Sequence, residues 1–197
     1  MLEIKNFSKK YGDKEAVSHL SFVVNDGDIM GFVGKNGAGK TTTLKACMGI
    51  ITITEGDILL DGISVVKEPI VCKRKMAYVP DTPRLEEYMT GMQYLNFVCD
   101  IYQISAKERK QNIERLIHAF QMEPHISGLI SSYSHGMKQR TAIISALVHS
   151  PKLLILDEPT NGLDPEGIKD LRELLVKLAT TEHMGILISS HNLAELE

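Results

Sequence analysis

Gly34-Lys35-Asn36-Gly37-Ala38-Gly39-Lys40-Thr41 is a complete phosphate-binding loop, and its reading decides the fold. It follows Ile29-Met30-Gly31-Phe32-Val33, an apolar run that predicts a buried strand, and it leads into Thr42-Thr43-Leu44-Lys45-Ala46-Cys47-Met48, the first turns of a helix. That strand–loop–helix context gives the pattern a mechanism. The glycines let backbone N–H groups turn inward around a polyphosphate, and the helix start adds its positive end. Lys40 is placed to reach the β- and γ-phosphates, and the Thr41 hydroxyl to ligate Mg²⁺.

Leu153-Leu154-Ile155-Leu156-Asp157-Glu158 is the second decisive run, bounded by Pro151 and Pro159. Continuous apolar residues mark a parallel strand buried on both faces, and such sheets bind ligands at the carboxyl ends of their strands. Asp157 is expected to serve the Mg²⁺ shell as a Walker-B carboxylate. Glu158, one residue on, is expected to polarise a water toward the γ-phosphate. In isolation an Asp-Glu pair reads as two solvated acids; the apolar run and the upstream phosphate loop favour the active pair.

Composition sets limits. The chain has 197 residues, 43% hydrophobic and 24% charged, ordinary proportions for one globular unit. A net charge of −3 without a basic run argues against a nucleic-acid footprint. No apolar stretch approaches the ~20 residues that cross a bilayer, and Met1-Leu2-Glu3-Ile4-Lys5 lacks a signal-peptide pattern. Cys47, Cys72 and Cys99 lie far apart without metal-ligand spacing, which predicts reduced thiols in a cytosolic setting.

Alternating residues from Leu2 to about Gly62 predict a strand-rich lobe, with turns at Tyr11-Gly12-Asp13 and Asn25-Asp26-Gly27. From about Pro83 to His149 the period becomes helical. Ser105-Ala106-Lys107-Glu108 predicts a capping box, Ile113, Leu116, Ile117 and Phe120 share one helical face, and Pro124 is expected to stop that helix. Ile168, Leu171, Leu174, Leu175 and Leu178 form a second stripe, and Ile186-Leu187-Ile188 reads as another buried strand. These stripes are core packing. His19, His118, His125, His149 and His183 are expected to carry no role.

Tyr133-Ser134-His135-Gly136-Met137-Lys138-Gln139-Arg140, then Gly162-Leu163-Asp164-Pro165, then Ser189-Ser190-His191 complete an ordered set. With the two runs above, the chain resembles the nucleotide-binding domain of ATP-binding cassette (ABC) transporters along essentially its whole length. The resemblance implies an α/β fold: a P-loop NTPase core with a mostly parallel sheet, an N-terminal antiparallel β lobe and an inserted α-helical subdomain. The lobe and core fall at about 1–82 and 150–197, and the helical subdomain at about 83–149. It also implies further strands and a helix after residue 197, so the family's C-terminal part is expected to be missing.

Functionally, the resemblance implies an ATP-hydrolysing subunit using ATP and Mg²⁺. Glu158 and His191 would be catalytic; Thr41, Asp157 and Asp81 would face the metal. Tyr11 would stack on adenine; the alternative is an ordinary turn tyrosine before Gly12. Gly34, Lys35, Asn36, Gly37, Ala38, Gly39, Lys40, Thr41 and Thr42 would hold the phosphates. Ser134, Gly136 and the D-loop Asp164 would serve a nucleotide shared across a head-to-tail dimer, either with a second copy or with a related ATPase subunit. The membrane permease would be a separate chain, placing this one in the cytoplasm against the membrane, with no nucleic-acid partner. Two alternatives are a soluble, non-transport ABC ATPase and a regulatory module that holds ATP without cleaving it. The first lacks its usual second cassette, coiled coil or zinc cysteines; Glu158 and His191 speak against the second.

Two positions depart from the family pattern. Asp81, in Ala77-Tyr78-Val79-Pro80-Asp81, stands where many members have glutamine. It either ligates Mg²⁺ directly or repels the γ-phosphate until metal arrives. His135 puts a ring where the signature usually has glycine, while Ser134 and Gly136 are retained. Asn192-Leu193-Ala194-Glu195-Leu196-Glu197 reads as the start of a helix.

Overall fold

A computed structural model describes residues 1–191; the helix expected from Asn192 lies outside the described residues. The N-terminal lobe begins with β1 (Leu2–Tyr11) and β2 (Lys14–Val24), antiparallel and joined at Gly12-Asp13. β4 (Glu55–Leu60) and the short β5 (Ile63–Ser64) complete this four-stranded sheet in the order β2-β1-β4-β5. Its hairpins turn at Gly12 and at Asp61-Gly62, all three with positive φ, as tight hairpins with right-handed strand twist require.

The second sheet is parallel at every described pairing and has the order β3-β8-β7-β6. Its strands are β3 (Ile29–Val33), β6 (Met76–Val79), β7 (Leu153–Asp157) and β8 (Gly185–Ser190). Every residue of β7 and β8 is buried. Alternation divides them between two cores: Leu154, Leu156, Ile186 and Ile188 face one, and Leu153, Ile155 and Leu187 face the other. Apolar demand on both faces explains why these strands read as unbroken hydrophobic runs.

One core is filled by helices: α3 (Gly91–Ile101), α4 (Ala106–Ala119), α5 (His135–Leu147) and α6 (Pro165–Glu182). A short 3₁₀ turn at Ile130–Ser132 precedes α5. The opposite core joins α1 (Lys40–Cys47) and Cys72 of α2 (Pro69–Lys73) to Leu2, Ile4 and Phe7 of the antiparallel sheet. Among the described residues no helix is long and apolar enough to cross a membrane. The three cysteines are free and buried, and burial pushes the Cys47 thiol up to about 12.

Three local expectations change. β3 is an edge strand in the described sheet, and Ile29 and Val33 are each 43% exposed rather than buried. Only β8 pairs with it there, so the apolar run marked a strand correctly but not its burial. At Ser105, the hydroxyl accepts from the Glu108 N–H at 3.3 Å and donates to Glu108 Oε2 at 2.7 Å, so the carboxylate serves the hydroxyl. The full reciprocal box lies at Thr90 and Gln93. Finally, α4 ends at Ala119, with Gln121 at φ 54°, before Pro124 is reached.

Neighbouring residues on α6 test the helical register. Leu175 is 4% exposed and Val176 is 52% exposed. Leu175→Ala should destabilise the protein by about 2–5 kcal/mol in denaturant titration, because it deletes buried methyls and leaves a cavity. Val176→Ala should stay within about 0.5 kcal/mol of the parent. Equal losses at both positions would show that the assigned face is wrong.

Candidate functional site

The phosphate loop closes through the Ala38 N–H to Lys35 C=O bond at 3.1 Å, and Gly37 and Gly39 have φ of 83° and 90°. Gly39 is sterically required. A Cβ there would lie 2.6 Å from the Ala16 carbonyl oxygen and 2.8 Å from Val17 Cγ2, so β2 passes where a side chain would stand. Gly39 is also the N-cap of α1, without a side-chain cap. The first-turn N–H groups therefore keep their capacity for an anion.

A cleft of about 550 Å³ opens beside the loop, lined in part by Tyr11, Asn36, Gly37, Gly39, Lys40, Thr41 and Thr42 together with Asp81, Glu158, Asn161 and His191. Tyr11 sits at the end of β1 with Lys9 Nζ 4.8 Å from its ring centroid. Gly34, Lys35 and Ala38 do not line this cleft: the Gly34 carbonyl takes Lys40 Nζ at 2.6 Å, and Ala38 faces a neighbouring hollow with Val17 and Phe32.

Lys40 is 7% exposed, and its ammonium lies 3.2 Å from Glu158 Oε1. A buried cation needs a partner, and here a carboxylate supplies it. Glu158 Oε2 accepts from His191 twice, from the backbone N–H at 3.2 Å and from the ring Nδ1 at 2.7 Å. A carboxylate only accepts, so the imidazole presents Nδ1–H to it. Burial raises the Glu158 carboxyl, but the His191 and Lys40 hydrogen bonds outweigh it and hold the group below the usual glutamate value. Glu158 also has φ 49°, an uncommon backbone state for a non-glycine residue, and its N–H is fixed by Ser189 O and Oγ at 3.2 and 3.0 Å.

Asp157 lies deeper, 2% exposed. Ser189 Oγ donates to its Oδ1 at 2.6 Å and Tyr78 Oη to its Oδ2 at 3.2 Å. Burial and then the Asp157 charge push the Tyr78 phenol up, so it remains a donor. Sequence reasoning missed both hydroxyls. Ser189 pairs in register with Asp157 across β7 and β8, and register is what a single sequence leaves open. Among the described residues no group of three His, Cys, Asp or Glu could cage a metal. The donors near the loop are instead a threonine hydroxyl and carboxylates. This set suits a hard cation completed by phosphate oxygens and water.

Ser134, Gly136 and Asp164 do not join that cleft. They line a separate one of about 380 Å³ with His135, Met137, Arg140, Gly162 and Leu163. Ser134 caps α5 by accepting from the Met137 N–H at 3.3 Å, and Asp164 caps α6 by accepting from the Gly167 N–H at 3.0 Å. The site residues thus form two groups, one at the phosphate loop and one at the start of α5. Asn161 belongs to the first group's lining and was not singled out from the sequence. Its place between Glu158 and Gly162 was the available signal.

A glycine-rich loop entering a helix, a buried Asp-Glu strand end and a following histidine define a P-loop nucleotide-binding protein. A family profile described as ABC transporter matches residues 17–161. The chain is 39% identical over its full length to the bacitracin transport ATP-binding protein BcrA of Bacillus licheniformis, covering 63% of that protein. It is 36% identical, again over its full length, to the uncharacterized ABC transporter ATP-binding protein YhcH of Bacillus subtilis, covering 64% of it. A solved ATP-binding subunit of an ABC transporter superposes with a TM-score of 0.90 at 35% identity, over 98% of this chain and 80% of that one. The chain belongs to the ABC transporter family. It spans somewhat under two thirds of the length of those two relatives.

The Lys40–Glu158 pair makes the protein's stability depend on Glu158. Glu158→Gln should lower its stability by about 1–3 kcal/mol, since charge-assisted bonds are lost around a buried ammonium. Saturating ATP should then raise the melting temperature more in the variant than in the parent, because phosphate replaces the missing charge. A carboxyl depressed below its usual value of 4.5 contributes stability above that pH, lost as the pH falls through the lower folded value. Parent and variant melting temperatures should therefore converge as the pH drops below 4.5. Parallel curves over that range would remove Glu158 from the pair.

Proposed function

We propose that this chain is the ATP-binding and hydrolysing subunit of an ABC transporter, driving a permease carried on a separate chain. The observation carrying the reading is the Glu158 carboxylate held between Lys40 and His191 at the phosphate-loop cleft. ATP enters with adenine against Tyr11 and its phosphates over Gly37, Gly39, Lys40, Thr41 and Thr42. Lys40 exchanges Glu158 for the β- and γ-phosphates. The released carboxylate, still oriented by His191, accepts a proton from the attacking water as that oxygen bonds to the γ-phosphorus and the bond to the β–γ bridging oxygen breaks. Thr41 and Asp81 would hold Mg²⁺ with Asp157 behind them, and the cation, when bound, would neutralise phosphate charge.

The separation of the Ser134 cleft from the phosphate-loop cleft supports a composite site. Ser134, Gly136 and Asp164 of one subunit would face the nucleotide of a head-to-tail partner, a second copy or a related subunit. Residues 83–149 act as the inserted helical unit that carries this surface away from the chain's own phosphate loop. ATP favours the closed dimer and cleavage releases it, so the pair becomes a switch able to move an attached permease at the cytoplasmic face of a membrane. The acidic balance leaves nucleic acid outside the reading. The relationship to the bacitracin transport protein supports the transport class and not its substrate.

Glu158→Gln tests the reading directly. The amide keeps shape and an acceptor but takes no proton, so phosphate release should fall ~10²–10⁴-fold. ATP titration should still give binding, and sizing chromatography with ATP and Mg²⁺ should show a dimer that outlasts the parent's. Hydrolysis at the parent rate would show that the general base lies elsewhere. Lys40→Ala should abolish calorimetrically measurable ATP binding. Asp81→Ala should shift the Mg²⁺ activation curve while metal-free nucleotide binding stays within about twofold; an unmoved curve would take Asp81 out of the metal site.

A further inference from the structure

The two positions that depart from the family pattern, Asp81 and His135, are joined in the folded chain by one residue. Asn161 Nδ2 donates to Asp81 Oδ1 at 2.7 Å. The Asn161 carbonyl oxygen accepts from His135 Nε2–H at 3.1 Å. The Asn161 N–H donates to the Glu158 carbonyl at 3.2 Å. Three polar groups of a single residue therefore reach three functional elements: the carboxylate two residues past β6, the imidazole at the start of α5, and the backbone of the proposed general base.

The next residue tightens the link. Gly162 has φ 74°, and a Cβ on it would lie 2.3 Å from His135 Cδ2. The histidine ring is thus seated against loop backbone and leaves no room for a side chain. His135 directly follows Ser134, whose hydroxyl caps α5 and lines the second cleft. Asp81 and Asn161 line the first. The path from one cleft to the other is two hydrogen bonds and one peptide unit.

We infer that Asn161 is a positioning residue that ties Asp81 at the chain's own nucleotide cleft to His135, so that nucleotide bound in that cleft sets how Ser134 is presented to a second subunit. The inference rests on the ATPase reading above and extends it to communication between the sites. A ligand in the first cleft competes for the Asp81 carboxylate. When Asp81 leaves Asn161, the loop carrying the Asn161 carbonyl and Gly162 is released, and the seat of His135 changes with it. Small errors here are costly, since a 1 Å misplacement of a positioning group can cost about 10²-fold in rate. An isolated exposed hydrogen bond would instead give a slight stability change and no communication.

The test is hydrogen exchange of the protein, at concentrations where sizing chromatography shows monomer, with and without Mg²⁺ and a non-hydrolysable ATP analogue. In the parent, exchange should change at the phosphate loop, residues 34–42, and at the start of α5, residues 133–141. Asn161→Ala and His135→Ala should keep the full loop response and lose at least threefold of the α5 response. The double variant should lose no more than the worse single one, because both cut the same path. His135→Gln, which keeps an N–H donor, should retain the response. In steady-state turnover, Asn161→Ala should lower kcat about tenfold with KM within twofold. An Asn161→Ala protein whose α5 response equals the parent's, or a double variant with additive losses, overturns the inference while leaving the ATPase reading intact. A parent without protection at residues 34–42 overturns the nucleotide reading and this inference with it.

Discussion

A strand that must be dry along its length and charged at its end constrains this whole molecule. β7 is buried at every residue; it ends on the carboxylate Asp157, and a second carboxylate, Glu158, follows before Pro159. Its two faces need separate apolar covers, which is why the helices α3 to α6 and the antiparallel lobe with α1 lie on opposite sides. Alternation then settles where the acids go. Asp157 shares a face with Leu153 and Ile155, the side covered by α1 and hence by the phosphate loop that opens it. Buried there, its carboxyl oxygens accept from hydroxyl donors on both neighbouring strands, Tyr78 of β6 and Ser189 of β8. Glu158, just past the strand, turns through positive φ and meets Lys40. The strand's burial and the site's electrostatics are one arrangement.

Much of this was legible in the sequence because its signals are local. Glycine spacing marks a loop whose N–H groups must turn inward, and Gly39 shows the reason in contact distances: β2 backbone occupies the space of its missing side chain. Four consecutive apolar residues before Asp157 announce two-sided burial. The misses are those that require a partner in space. β3 carries the same apolar run as β7, yet Ile29 and Val33 are partly open, because exposure depends on what pairs with a strand and not on its composition. Pro124 suggested a helix end, but the chain had already turned at Gln121, since positive φ after the last turn ends a helix without help from proline. Tyr78 and Ser189 became visible as partners of Asp157 only once strand register was known.

The Lys40–Glu158 contact gives the site a particular character. An ammonium this buried would be costly without an anion, and the fold supplies one from Glu158. The same carboxylate is also bonded to the His191 ring and backbone. Nucleotide entry under the proposed function therefore replaces one anion near Lys40 with another. Net electrostatic gain from phosphate binding is smaller than for an unpaired lysine, while the base is freed at the moment a substrate is present. Binding and activation are linked through one displaced ion pair. Under that function, a resident carboxylate tempers affinity and prepares reactivity together.

The departures at Asp81 and His135 fit this picture when considered as a pair. Under the proposed function, Asp81 alone adds negative charge beside phosphates, and His135 alone adds bulk where a helix start would approach a partner. Asn161 changes both consequences: its amide gives Asp81 a donor, and its carbonyl gives the imidazole an acceptor. The ring in turn fills the space above Gly162, a residue whose positive φ and crowded Cβ position suit glycine alone. Each unusual side chain is accommodated by the same short loop, which begins at the backbone of Glu158. That loop is bonded to the Glu158 backbone at one end and to the residue beside Ser134 at the other. Communication between the two clefts, as proposed, would need no long-range rearrangement of the cores packed on either side of β7.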